Sequence, residues 1–168
     1  TRPNMVIFDI QDTQVEAVKQ LTEENGLPMM GSVPIITMRL HAVNGLTAEA
    51  INTDTTIEMS RGLLNREYRV TYRDTLIDSE TLLEGTWRGR VAKPGDSIFI
   101  SLDKGIAESM KIKLGDPIVW NVQGALVTTY AGSFRKIDFQ RVQTNFLVVF
   151  PEGVLEEAPQ FHVLLTQV

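Results

Sequence analysis

Cysteine is absent from this 168-residue chain, and histidine occurs only twice. Without cysteine the chain cannot form a disulfide framework, a zinc–thiolate site or a thiol nucleophile. His41 and His162 lie on the less apolar faces of two predicted strands, and no HxH or HExxH spacing surrounds either of them. Because a metal site needs at least three converging ligands, we predict ordinary surface or boundary histidines, no bound metal and no cofactor.

Motifs for phosphate binding and for nucleophilic catalysis are also lacking. The chain contains neither GxxxxGK[ST] nor GxGxxG, so the sequence indicates no nucleotide site. It has no GxSxG elbow, and the serines that follow glycine, Ser32 and Ser133, stand in turn-like contexts. We therefore predict no catalytic residues and no enzymatic activity. A hydrolase with unrecognised carboxylates is the alternative that a deep polar pocket with perturbed acids would favour.

Long apolar runs and a basic surface are missing as well. No run approaches the ~20 residues of a membrane-spanning helix, and the first residues lack the pattern of a signal peptide. Residue 1 is Thr instead of Met, so we expect a processed or excised start, with any membrane segments outside this numbering. The net charge of −5 argues against nucleic acid as the main partner, because phosphate binding needs a basic surface.

The composition is that of a folded domain, with 43% hydrophobic and 22% charged residues. Near the start, an apolar run over residues 4–10 predicts a strand, and an apolar stripe from Val15 to Leu21, expected to be buried, predicts a helix that ends before Gly26. Alternation over residues 33–43 predicts a second strand. The opening is therefore expected to be a β-α-β unit in one sheet.

The end of the chain repeats this order in the sequence pattern. Residues 145–150 (NFLVVF) predict a strand, residues 151–158 a short helix, and residues 161–168 another strand. We interpret the two ends as halves of one pseudo-repeated subdomain, made of residues 1–44 and 141–168. Residues 45–140 would be an insertion between them.

The inserted region reads as a small mixed, mostly β subdomain. Residues 44–65 are predicted to be a connection with one or two helical turns near residues 57–64. Alternation then predicts a strand from Arg66, and glycines punctuate several shorter strands. Residues 101–122 (SLDKGIAESMKIKLGDPIVWNV) predict a short helix capped by Ser101, a Leu-Gly-Asp turn and a half-buried strand in which Ile118, Trp120 and Val122 alternate with their neighbours. A hairpin about Gly124-Ala125 would join that strand to the next. The fold class predicted for the whole chain is α+β.

Arginines give the middle of the chain a locally basic character. Arg69 and Arg73 lie on a predicted strand, and Trp87 lies in a Gly-Thr-Trp-Arg-Gly loop. These three are the candidate partner-contact residues, in a docking surface for anionic lipid headgroups or an acidic partner. The alternative is a solvated strand face paired with neighbouring carboxylates, with Trp87 covering an edge of the core.

Four segments in the expected order resemble one known family. They are LNREYRVTYRDTL (64–76), LLEGTW (82–87), SLDKGIAESMKIKLGD (101–116) and NFLVVFPEGVLEEAP (145–159). Together they are similar to extracytoplasmic, or periplasmic, domains of ABC-transporter permease subunits of the FtsX/MacB/LolC type. The resemblance implies a β-α-β porter-like subdomain with an inserted sabre-like subdomain, lying between two transmembrane helices of an inner (plasma) membrane protein.

The same resemblance implies function by mechanotransmission. A cytoplasmic ABC ATPase would be the partner through the membrane helices, and this domain would handle an exported or envelope substrate. A periplasmic adaptor or a lipid-linked substrate would be its direct contact. The alternative is a stand-alone envelope ligand-binding or assembly domain without a transport role.

Overall fold

Ten strands and four short α-helices form the part of the chain that the computed structural model describes, which is residues 5–27, 29–140 and 145–166. A 3₁₀ turn over Asp12–Gln14 precedes the first α-helix. The elements are, in chain order, β1 (Met5–Gln11), α1 (Val15–Glu24), β2 (Met29–Val43), β3 (Leu46–Thr47), α2 (Ala48–Thr53), α3 (Arg61–Asn65), β4 (Glu67–Tyr72), β5 (Glu80–Gly85), β6 (Phe99–Asp103), α4 (Lys104–Ser109), β7 (Pro117–Val122), β8 (Ala125–Ile137), β9 (Val148–Phe150) and β10 (Phe161–Thr166).

Six strands close into a barrel. The pairings run β2-β4-β9-β6-β8-β7 and return to β2, so each of these strands has a neighbour on both sides. Two of the pairings, β4 with β9 and β6 with β8, are parallel, and the other four are antiparallel. Closure removes the exposed edges from these six strands. The short strand β5 extends the sheet beyond β8.

The barrel interior is filled by large apolar side chains. Trp120 is fully buried, with its ring centroid 5.3 Å from that of Tyr68 and 6.2 Å from that of Phe150. Its indole N–H donates to the Thr129 hydroxyl at 3.1 Å, so the one polar atom of the ring is satisfied. The alternation that predicts β7 is confirmed, because every second side chain of that strand is buried.

A three-stranded arrangement extends from the barrel along β2. The first half of β2 pairs with β10, and β10 pairs in turn with β1, both in antiparallel orientation. The second half of β2 belongs to the barrel. The first and last strands therefore share a sheet, with Met5 opposite Thr166. Ile35 and Val163 from this sheet pack on Phe146 and Val149 in a second, smaller hydrophobic cluster.

Helix α1 lies where the sequence predicts it, but the prediction of a buried apolar stripe is wrong. Val15 and Val18 are only half-buried, and Leu21 is 59% exposed. The small sheet packs its buried side chains against Phe146 and Val149 on the barrel side, so the helix stripe is not part of that cluster.

The helix predicted over residues 151–158 is absent. Gly153 adopts a φ of 98°, and the backbone of Glu152 bonds to residues 89 and 91 instead of continuing a helical ladder. The strand before it, β9, pairs with β4 and β6. The end of the chain thus lacks the second β-α-β half of the predicted pseudo-repeat. The division into residues 1–44 with 141–168 and residues 45–140 stays a prediction, and residues 141–144 lie outside the described part.

Three smaller predictions also need correction. Helix α4 begins at Lys104 with Asp103 as its cap, because the residues up to 103, Ser101 included, continue strand β6. The hairpin between β7 and β8 turns on Gln123 and Gly124, which both have positive φ. The predicted connection over residues 44–65 contains an additional helix, α2, while α3 lies where the sequence predicts one or two helical turns, and each helix begins at a side-chain cap.

Candidate functional site

Two of the three candidate contact residues come together beside the barrel. Arg73 follows β4, and its guanidinium forms a two-pronged ion pair with Glu80 of β5, at 2.7 and 2.8 Å. The same guanidinium lies 5.8 Å from the centroid of the Trp87 ring. The Trp87 indole N–H donates to the Asp74 carbonyl at 2.7 Å. Arg73 and Trp87 are therefore held in place by neighbours within the chain.

A buried arginine that sequence reasoning missed stands beneath this pair. Arg135 of β8 is completely buried, and its guanidinium donates to Glu80 at 2.6 Å and to the Ser101 hydroxyl at 2.9 Å. It also donates to the backbone carbonyls of Phe146 and Leu147, at 3.1 and 3.2 Å. One carboxylate thus joins two arginines, and the second arginine fixes the segment that leads into β9.

The electrostatics of this network favour the charged forms. Burial opposes ionisation of Glu80, but hydrogen bonds from Arg73 and the charge of Arg135 outweigh it and lower the pKa of Glu80 below its usual value. Burial lowers the pKa of Arg135 to about 10, which leaves the guanidinium charged at neutral pH. Because every one of these charges has a partner, the network links strands and offers no free acid or base.

Trp87 packs against the smaller hydrophobic cluster. Its half-buried ring packs against the group that contains Ile35, Phe146 and Val163. This contact matches the interpretation in which the tryptophan covers an edge of the core. A role of Arg73 or Trp87 in binding a partner stays a prediction.

Arg69 stands apart from this network on the exposed face of β4. Its neighbour across the strand pair is Thr37 of β2, and it lines a groove of about 270 Å³. The groove floor includes Ile35, Phe146 and Leu147, and Arg66 joins Arg69 at the rim. Of the three candidates, Arg69 is the one whose charged group faces solvent.

The two histidines do not meet. His41 is half-buried on β2, while His162 of β10 pairs with Asp12 and lies 3.4 Å from the Ser32 hydroxyl. Within residues 5–27, 29–140 and 145–166 there is no group of three His, Asp or Glu side chains arranged to hold a metal ion. A further groove of about 380 Å³ between the 3₁₀ turn and the barrel is lined by polar side chains such as Gln11, Gln123 and Gln160.

Gly89 lets the loop that carries Trp87 approach the residues after β4. A Cβ atom built on Gly89 would lie 2.2 Å from the Asp74 carbonyl oxygen, which is far inside contact distance. That same oxygen accepts the Trp87 indole N–H. We expect Gly89→Ala to push the loop outwards and lower the free energy of unfolding by about 1–3 kcal/mol. Intrinsic tryptophan fluorescence should shift to the red as Trp87 loses cover.

Gly95→Ala is the matched control for this prediction. Gly95 also lies in a loop, but a Cβ atom there would meet nothing within 4 Å. Its positive φ of 90° adds a cost of about 1 kcal/mol without moving Trp87. An unshifted emission spectrum in Gly89→Ala, equal to that of Gly95→Ala, would contradict the close packing of Gly89 against Asp74.

Comparison with known proteins finds a similarity to a transporter permease. Over 158 residues, or 94% of its length, the chain is 28% identical to the uncharacterized ABC transporter permease YbbP of Escherichia coli (strain K12). The chain spans about a fifth of that relative, 18% of its length. No protein-family profile matches the chain, and no solved structure matches it. None of the helices in the described part is long and apolar enough to cross a membrane.

Proposed function

We propose that this chain is an extracytoplasmic domain of an ABC-transporter permease subunit of the FtsX/MacB/LolC type. The observation that carries the proposal is the similarity to a permease over nearly the whole chain, which supports a permease-like domain. In this proposal the membrane helices belong to other parts of the subunit, and a cytoplasmic ATPase is the general partner of such a permease. The domain itself performs no catalysis.

The positions of the outermost strands support this placement. Met5 of β1 lies opposite Thr166 of β10, so the first and last described strands enter and leave at one end of one sheet. A domain inserted between two transmembrane helices needs both of its connections on one side. Two adjacent attachment points would also transmit a movement of the helices to the domain as a whole.

The architecture supports mechanical coupling. The closed barrel has no free edge among its six strands, and β2 runs without interruption from the small sheet into the barrel. The Glu80 network ties β5, β8 and the segment before β9 together beside that junction. A movement applied at the small sheet would therefore reach the barrel, and with it any exported substrate or adaptor that the barrel contacts.

Location can be tested by thiol labelling, because the chain has no cysteine of its own. We expect Leu126→Cys, at a side chain that is 57% exposed on β8, to react with a membrane-impermeant maleimide in intact cells that express the full parent subunit. Cysteines elsewhere in the subunit are replaced first. Labelling only after the inner membrane is permeabilised would overturn the extracytoplasmic placement.

Ser133→Cys is the matched control, since Ser133 is buried and the substitution nearly preserves its size. It should react only after denaturation, which shows that labelling at position 126 reports on a folded domain. Fractionation of the labelled protein completes the test. Recovery in the membrane fraction supports a permease, whereas recovery in the soluble envelope fraction would favour the stand-alone binding domain.

A further inference from the structure

The groove beside β4 has a positive rim, formed by two arginines that have no acidic partner among the described residues. Arg66 and Arg69 are both exposed, and neither forms an ion pair with any carboxylate of the described residues. Arg73, Arg90 and Arg135 each have an acidic partner. The other arginines with a described partner use backbone carbonyls or aromatic rings, and among them the Arg66 guanidinium lies 5.3 Å from the centroid of the Tyr68 ring. In a chain with a net charge of −5, two arginines that line one groove without a carboxylate partner give it a local positive charge, although the exposed Glu67 lies between them in the sequence.

The floor of the groove is apolar and rigidly supported. Phe146 and Leu147 form part of it together with Ile35. The backbone carbonyls of residues 146 and 147 accept hydrogen bonds from the buried guanidinium of Arg135, which Glu80 holds from the other side. A floor fixed in this way loses little conformational freedom when a ligand binds, so more of the contact energy appears as affinity.

These features point to a particular chemistry of ligand. A guanidinium group recognises a carboxylate through charge-assisted hydrogen bonds, often two at once. An apolar floor next to it accepts an aliphatic side chain. The volume of about 270 Å³ accommodates neighbouring side chains of a peptide.

We propose that this groove binds an acidic peptide segment of a protein partner, with carboxylates on Arg69 and Arg66 and an aliphatic side chain against Phe146 and Leu147. The part of this inference that assigns the peptide to a partner of a transporter rests on the proposed function. The groove itself is tested on the isolated chain, so failure of the peptide experiment and failure of the labelling experiment are separate results.

The experiment is a titration of the ¹⁵N-labelled chain with the peptide acetyl-Glu-Leu-Glu-Leu-amide, followed by amide chemical shifts. We expect saturable shifts that concentrate at Arg69, Phe146 and Leu147. Arg69→Glu should weaken binding by about tenfold or more, because it places a carboxylate where the peptide's own carboxylate would lie. Arg66→Glu should weaken it in the same direction. Both side chains are exposed, so both variants should keep the dispersed spectrum of the folded domain, and Arg66→Glu should in addition shift resonances near Tyr68, over whose ring the Arg66 guanidinium lies.

Lys136→Glu is the matched control, since it makes the same change of charge at an exposed position of β8 outside the groove lining. It should leave the affinity within about twofold. Absence of saturable shifts up to about 1 mM peptide would overturn the proposal. Equal binding of acetyl-Lys-Leu-Lys-Leu-amide would overturn it as well. So would Arg69-dependent binding to phosphatidylglycerol vesicles without peptide binding, because the surface would then recognise lipid.

Discussion

Glu80→Gln is expected to lower the free energy of unfolding by about 3–5 kcal/mol, because the change leaves two arginines without their carboxylate. The side chains of Glu80 and Arg135 are completely buried, and Arg73 is only 17% exposed. The glutamine has nearly the same shape, so the loss would come from uncompensated charge and not from a cavity. Urea denaturation followed by circular dichroism measures the free energy of unfolding. The slope of that free energy against urea concentration is expected to stay constant.

Glu84→Gln on the same strand is the control for this prediction. Its carboxylate pairs with Lys104 at an exposed position, so its loss should change stability by at most about 1 kcal/mol. Similar urea midpoints for Glu80→Gln and the unchanged chain would contradict the stabilising role of the network.

The same ion pairs make a prediction for acid. The pKa of Glu80 is lower in the folded chain than its usual value of 4.5, so the folded state favours the ionised carboxylate. The stability that Glu80 contributes is therefore complete above that usual value and is lost as the pH falls through the lower folded pKa. Between pH 7 and strongly acidic pH, the stability gap between the unchanged chain and Glu80→Gln should narrow.

Trp120→Ala is the second change with a large expected effect, about 3–5 kcal/mol. The indole is fully buried in the barrel, where it meets Tyr68 and Phe150 edge to face. Removing it leaves a cavity whose walls belong to strands in a closed ring, and such a ring cannot collapse freely around the space. Thr129 also loses the indole as a hydrogen-bond partner. Thermal and urea denaturation should both report the loss.

Phe139→Ala supplies the comparison, because this aromatic side chain is 65% exposed just after β8. Its truncation should change stability by less than about 0.5 kcal/mol. If Trp120→Ala destabilised the chain no more than Phe139→Ala does, Trp120 would not be the centre of the barrel core.

Local sequence signals were reliable where a single strand or turn explains them. Alternation predicts β7, and Gly115 followed by Pro117 predicts the start of that strand after a turn. These local signals failed where the backbone forms hydrogen bonds with a segment distant in the sequence. Residues 151–158 have a helical pattern, yet Glu152 bonds to the backbone near Arg90 and no helix forms.

The candidate site shows the same limit. Arg69, Arg73 and Trp87 are recognisable from the sequence as a basic and aromatic region, but their different surroundings are not. Arg135 escaped notice, although it stands in phase with the small residues Ala131 and Ser133 on β8. That phase was the available signal, because it puts the arginine on the buried face, where it must find a carboxylate.

The sequence alone excluded thiol chemistry and indicated the helix at α4, the alternating strands and the resemblance to permease domains, since these depend on residue types and short spacings. Only the tertiary structure decided that six strands close into a barrel, that the first and last strands share a sheet, and that Glu80 joins Arg73 to Arg135. Those features arise from pairings between residues far apart in the chain, and a local pattern specifies which face is buried but not which partner covers it.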